Sequence, residues 1–413
     1  LLIYIILALT FGYSMIVAET ALGRMTRKSP VGAFGKFGKS KWLSFGGWIN
    51  AIIPVLIVPY YSVIGGWVIK YLIEYIKGNS QKLAEDGYFS EFISNGTSTE
   101  VCFLIFAFLT VAIIYAGVRN GVERVSKFMM PVLVFLSVLI TVYSVTRPGA
   151  LAGVKYFLVP NIENFSWMTV VAAMGQMFYS LSIAMGILVT FGSYMKKETS
   201  IEKSVSQIEI FDTGVALLAG LMIVPAVFVF SGGDQSAMQS GPGLMFQTLP
   251  KVFDSMGGGQ FGQIVGALFF LLVLFAALTS AISLMETVVS IVIDKFHVKR
   301  AVACIIVFIG MMLLALPSSL GNGVWSHIQI LGMDFLTFFD FISNSVIMPI
   351  VALLTCIFIG YVVKTQLVVD EVKSSSKFSR EKLFVVVIKY IAPIFIVAIL
   401  VSSVLSGLGI ITI

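Results

Sequence analysis

Apolar residues run along this chain in long unbroken stretches, separated by short polar segments in which lysine and arginine recur. A helix crosses a bilayer with about 20 mostly apolar residues. Ten stretches meet that length or come close: 1 to 20, 45 to 77, 101 to 118, 125 to 146, 166 to 195, 206 to 231, 260 to 293, 299 to 317, 333 to 363 and 383 to 411. The runs are continuous rather than alternating, which argues against barrel strands and for helices, whose backbone groups pair within the segment. The pattern predicts an all-α, polytopic membrane bundle.

Charge then orients the bundle, because lysine and arginine accumulate in cytoplasmic loops. Assigning the polar segments alternately to two sides places 20 of the 27 basic residues on one side, in segments 24–41, 119–127, 196–203, 295–300 and 364–382. A missed or invented helix would swap every later loop and erase this asymmetry, so the count supports the ten-span reading. The first stretch then enters from outside, and the last ends outside. The net charge of +6 follows from topology and calls for no nucleic-acid partner. Leu1 already lies inside an apolar run, so a preceding helix and eleven spans in all are expected.

Composition agrees: 58% of residues are hydrophobic and 12% charged, where soluble domains carry roughly a quarter charged residues. Cys102, Cys304 and Cys356 fall in apolar runs and read as small buried hydrophobes. His297 and His327 stand near helix ends without metal-ligand spacing, and no nucleotide loop is present, so enzyme chemistry is not expected.

Two stretches are irregular. The one from 166 to 195 is long for a straight span, and small and hydroxyl residues gather at its centre, from Gly175 and Gln176 through Ser180 and Ser182 to Gly186. This is either a small-residue packing face or a break that exposes backbone groups to a midplane ligand. In the stretch from 260 to 293, Ala276, Thr279 and Ser280 lie deep among Leu and Phe. Their oxygens suit Na⁺, a hard cation, or else bond back to their own helix. Carboxylates within the spans are costly and point to function by default; they are Asp212, Glu286, Asp340 and, near a helix end, Glu19, of which Glu286 and Glu19 equally fit satisfied structural acids. Asp212 has no Lys or Arg within a helical turn.

Several of these pieces resemble the neurotransmitter:sodium symporters, above all bacterial members of the LeuT type. The resemblance is carried by Glu19-Thr20-Ala21-Leu22-Gly23-Arg24, by Pro59-Tyr60-Tyr61, by Gly121-Val122-Glu123-Arg124 with Lys127 and Pro131, and most specifically by Gly175 to Ser182 and Ala276 to Ser280. It spans nearly the whole chain and implies a LeuT-like inverted repeat. Residues 1–146 would hold helices two to five, 166–363 helices six to ten, and 383–411 helix eleven; the family's first helix would be the missing one.

The resemblance also implies site roles. Tyr61 would meet the substrate carboxylate, and Tyr179 would be the aromatic lid over a site formed with Ser180 and Ser182. Ile57, Met185 and Leu284 would line an apolar side-chain pocket, which favours a neutral hydrophobic or aromatic amino acid. Ala276, Thr279 and Ser280 would bind one sodium ion, and Ser180 with Asp212 a second, each site completed by the first helix. Asp212 would stand at or beside a position often held by Asn, and its charge would replace the chloride used by some relatives. Asp340 would serve an outer gate.

The expected function is sodium-coupled symport of an amino acid across the plasma membrane of a bacterium. A binding or regulatory membrane protein that keeps the pocket without cycling is the alternative.

Overall fold

The computed structural model describes residues 1–37, 41–161, 165–234, 241–256 and 259–407. Among them, nine helices are long and apolar enough to cross a membrane, and a tenth segment crosses in two pieces. In chain order these are α1 (Leu2–Thr26), α2 (Phe45–Lys77), α3 (Gly96–Tyr115), α4 (Val118–Val145), the pair α5 (Trp167–Ser180) and α6 (Ile187–Tyr194), α7 (Ile201–Phe230), α8 (Gln260–Phe296), α9 (Arg300–Leu320), α10 (Phe335–Lys373) and α11 (Glu381–Ser406). All ten expected spans are thus occupied by helix, with ends displaced by a few residues, and the stretch 408–411 lies outside the described residues.

Two ends differ for a physical reason. α1 continues past residue 20 to Thr26, where Arg27 turns into the left-handed region (φ 57°). α10 continues past residue 363 to Lys373. Both extensions meet where Arg24, with no exposed surface, pairs with Glu371 at 2.6 Å. The apolar count ends at the membrane boundary, while the helices run on to bury that pair.

α2 packs along α8 at the centre, with α3, α4 and α9 against them and α7 beside α4. α1 lies close against α6. A Cβ on Gly23 would stand 2.0 Å from the Val189 carbonyl oxygen, and one on Gly192 would stand 2.4 Å from that of Thr20. Glycine at both points allows the two backbones to touch, the usual device where membrane helices approach closely.

Hydrogen bonds also tie the basic loops together. The Arg24 guanidinium donates to the carbonyls of Lys197 and Thr199, as well as to Glu371 and Ser375. Ser29 donates to Asp294, and Arg300 donates to the Ile114 carbonyl. Segments 24–41, 196–203 and 364–382 therefore share one face of the bundle, as do the ends of α8 and α3. On the other face Lys251 pairs with Asp86, and Ser94 donates to the Asn322 carbonyl.

Candidate functional site

The segment 166 to 195 is broken. α5 ends at Ser180, and Ser182 (φ 55°), Ala184 (φ 62°) and Gly186 (φ 72°) all adopt left-handed conformations before α6 begins. Positive φ is costly for Ser and Ala, and three such residues within five cannot continue a helix. The last bonds of α5 lose the helical register, with Leu181, Ser182 and Ile183 donating to the carbonyls of Met177, Tyr179 and Phe178, four, three and five residues back. The next donor, Ala184 N–H, is taken by the Glu19 carboxylate of α1 at 2.8 Å. Glu19 is fully buried and thereby holds the break against α1. Gly186 is required at the far end, since a Cβ there would lie 2.8 Å from both Asn50 Oδ1 and Pro30 Cγ.

At the near end, Ser180 donates to Asp212 on α7, with Oγ 2.9 and 3.0 Å from the two carboxylate oxygens. The Tyr4 hydroxyl of α1 lies 3.0 Å from Asp212 and 3.3 Å from Ser180. Three helices thus converge on one carboxylate whose partners are hydroxyls. The sequence brought Ser180 and Asp212 forward as a pair; it missed Tyr4, whose signal was a lone phenol within an apolar run.

Across the bundle, α2 presents Ile57 and Tyr61 one turn apart, while α8 presents Ala276, Ser280 and Leu284 at the same spacing. The Tyr61 hydroxyl faces Ser280 of α8. Tyr179 stands near Tyr61 and Asp340. Ile57, Met185 and Leu284 are buried in the same apolar core, and Ser182 is half-buried beside them along the break. The Thr279 hydroxyl bonds back to the carbonyls of Phe275 (3.1 Å) and Ala276 (2.9 Å) on its own helix. This clusters the oxygens of Ala276 and Thr279 on one side of α8.

Asp340 begins a π-helical turn of α10, Phe341–Ile347. Its carboxylate accepts from Tyr60 at 3.0 Å and from Asn344 at 2.5 Å. Tyr60 and Asn344 were not anticipated, although Tyr60 adjoins Tyr61. Asp334 caps the start of α10 by accepting from Thr337 N–H. Glu286 belongs elsewhere: it is fully buried, pairs with Arg300 and accepts from Tyr194 at 2.8 Å, so it closes the basic face. The three cysteines are free and buried.

A model of the sodium:neurotransmitter symporter family matches residues 88–408. A sodium-dependent transporter of Bacillus subtilis (strain 168) is 33% identical over 402 residues, covering 96% of this chain and 87% of that protein. One from Haemophilus influenzae is 32% identical, covering 97% and 89% respectively. Among solved structures, MhsT in complex with L-phenylalanine superposes with a TM-score of 0.87 at 34% identity, covering 97% of this chain and 90% of that one.

Proposed function

The chain belongs to the sodium:neurotransmitter symporter family of multi-pass membrane transporters, and from that premise we propose that it couples sodium entry to uptake of a neutral hydrophobic or aromatic amino acid. The observation that carries the reading is the break itself. Leu181 to Gly186 leaves the helix ladder beside a polar corner, Tyr4, Ser180 and Asp212, and within the apolar core to which Ile57, Met185 and Leu284 belong. An amino acid needs both: polar groups for its charged ends and an apolar recess for its side chain. That MhsT was solved with L-phenylalanine supports a substrate of this class.

In this reading Tyr61 meets the substrate carboxylate, Ser180 and Ser182 present the opened backbone, and Tyr179 covers the site from the Asp340 side. One sodium ion binds at Ala276, Thr279 and Ser280. A second binds beside Ser180 and Asp212, and the carboxylate supplies the negative charge that removes a chloride requirement. Asp340, with Tyr60 and Asn344, is the outer gate. Residues 1–146 and 166–363 form the two halves whose rocking exposes the site alternately to each side.

The test is binding of a labelled panel of neutral and charged amino acids to the purified chain, with sodium replaced by choline in a parallel arm and chloride by gluconate in another. Binding of apolar or aromatic members only in sodium, and equally in gluconate, is expected. Preference for charged amino acids would overturn the substrate class, sodium-independent binding the coupling, and loss in gluconate the role given to Asp212.

A further inference from the structure

A second recess lies far from the break, on the face that gathers the basic loops. It is a cavity of about 350 Å³ between the helix Pro30–Phe37 and the end of α8, lined by Lys28, Lys36, Trp48, Asp294, Lys295 and His297. Three ammonium groups face a single carboxylate, and that carboxylate is already engaged, accepting from Ser29 Oγ at 2.7 Å and Ser29 N at 3.3 Å. Lys28, Lys36, Lys295 and His297 are exposed. Lys295 is held 5.4 Å over the Trp48 ring, which orients its charge along the cavity wall. Lys36 also donates to the Met25 carbonyl at 3.2 Å, an uncharged partner, so with three ammonium groups against one carboxylate the cavity keeps an excess of positive charge.

The surface beside it is apolar. Phe45, Trp48 and Ile52 occupy one face of α2 at spacings of three and four residues and are 55%, 40% and 44% exposed, and Phe296, between Lys295 and His297, is 66% exposed. Such a face at the start of a spanning helix meets acyl chains, and an exposed Trp beside lysines marks the headgroup level. We propose that this recess binds the phosphate headgroup of an anionic phospholipid, with Lys28, Lys36 and Lys295 on the phosphodiester and the Phe45, Trp48, Ile52 and Phe296 surface along its chains. Lysine-lined pockets at this level are suited to acidic lipid headgroups. The shared chemistry is a phosphate ester anion, and the apolar flank selects the lipid over a soluble phosphate.

The experiment places the full chain in nanodiscs containing either brominated phosphatidylglycerol or brominated phosphatidylcholine at equal mole fraction. Quenching of Trp48 is taken as the difference between the chain and its Trp48→Phe variant. Selective quenching by phosphatidylglycerol is expected, weakening about fivefold for each lysine among Lys28, Lys36 and Lys295 replaced by Gln, and retained when the same lysines become Arg. Lys203→Gln, on the same face but outside the recess, is the control and should leave quenching unchanged. Equal quenching by both lipids, or an equal loss with Lys203→Gln, would overturn the site in favour of a diffuse surface field. Displacement of phosphatidylglycerol by millimolar inorganic phosphate would reassign the recess to a soluble anion and overturn the lipid assignment.

Discussion

Carboxylates on the basic face and farther along the spanning helices are satisfied differently. On the face, each of three acids meets an arginine: Glu371 with Arg24, Glu286 with Arg300, and Glu209 with Arg380, whose guanidinium also lies 4.3 Å over the Tyr13 ring. Within the spans, Asp212 meets the hydroxyls of Tyr4 and Ser180, the exposed Asp340 meets Tyr60 and Asn344, and the buried Glu19 meets a backbone N–H. The first arrangement neutralises charge and fastens helices. The second leaves each carboxylate among uncharged donors, the arrangement that the sodium site proposed at Asp212 calls for, since a permanent arginine would compete for the same oxygens. Acids held by arginine fasten the bundle through charge, while the others are held by hydroxyl, amide or backbone N–H donors.

Removing one arginine should break the first group most severely. Arg300→Ala strands the buried Glu286 carboxylate, and loss of a buried partner costs about 3–5 kcal/mol. A large fall in the thermal midpoint of the detergent-solubilised protein is expected, partly recovered in Arg300→Gln with Glu286→Gln. An unchanged midpoint for Arg300→Ala would remove the distinction.

Asp212→Ala should do the opposite, leaving the midpoint nearly unchanged while weakening sodium-dependent binding by roughly 30-fold or more, the scale of about 2–5 kcal/mol for removing one partner of a desolvated charge contact. Sodium titration of substrate binding is the readout. A destabilised protein with normal sodium affinity would move Asp212 into the structural group.

A smaller effect is expected where neutral oxygens do the work. Thr279→Val with Ser280→Ala removes two hydroxyls worth about 1 kcal/mol each. The half-saturating sodium concentration should rise on the order of 10-fold; an unaltered value would clear these oxygens of a sodium role.

Met185→Phe should have the smallest energetic effect, about 1 kcal/mol from crowding a filled pocket. Competition assays should find small amino acids favoured over large ones. An unaltered ranking would take Met185 out of the pocket wall.

Much of this was legible in the chain. The ten spans followed from runs of apolar residues, because the cost of unpaired backbone groups in lipid permits few other solutions. The pairing of sides followed from lysine and arginine, and the hydrogen bonds among the basic loops agree with it. The periodicity of residues 166 to 195 left two readings open, and the left-handed residues decide for the break. The sequence set Asp212 apart for want of a nearby Lys or Arg and left Glu286 open between function and structure; their partners lie 14 residues away for Glu286, at Arg300, and 208 and 32 residues away for Asp212, at Tyr4 and Ser180.

Sequence alone determined the helical membrane class, the spanning stretches among the described residues and which basic loops share a face, because each depends on local composition and on loop charge. Tertiary structure alone decided which carboxylates are neutralised and which stay available, that Tyr4, Tyr60 and Asn344 serve them, and that lysines from two distant segments enclose one recess. Those outcomes depend on which faces meet across the bundle, and a hydroxyl or ammonium group carries no mark along the chain of the partner that folding will bring within 3 Å of it.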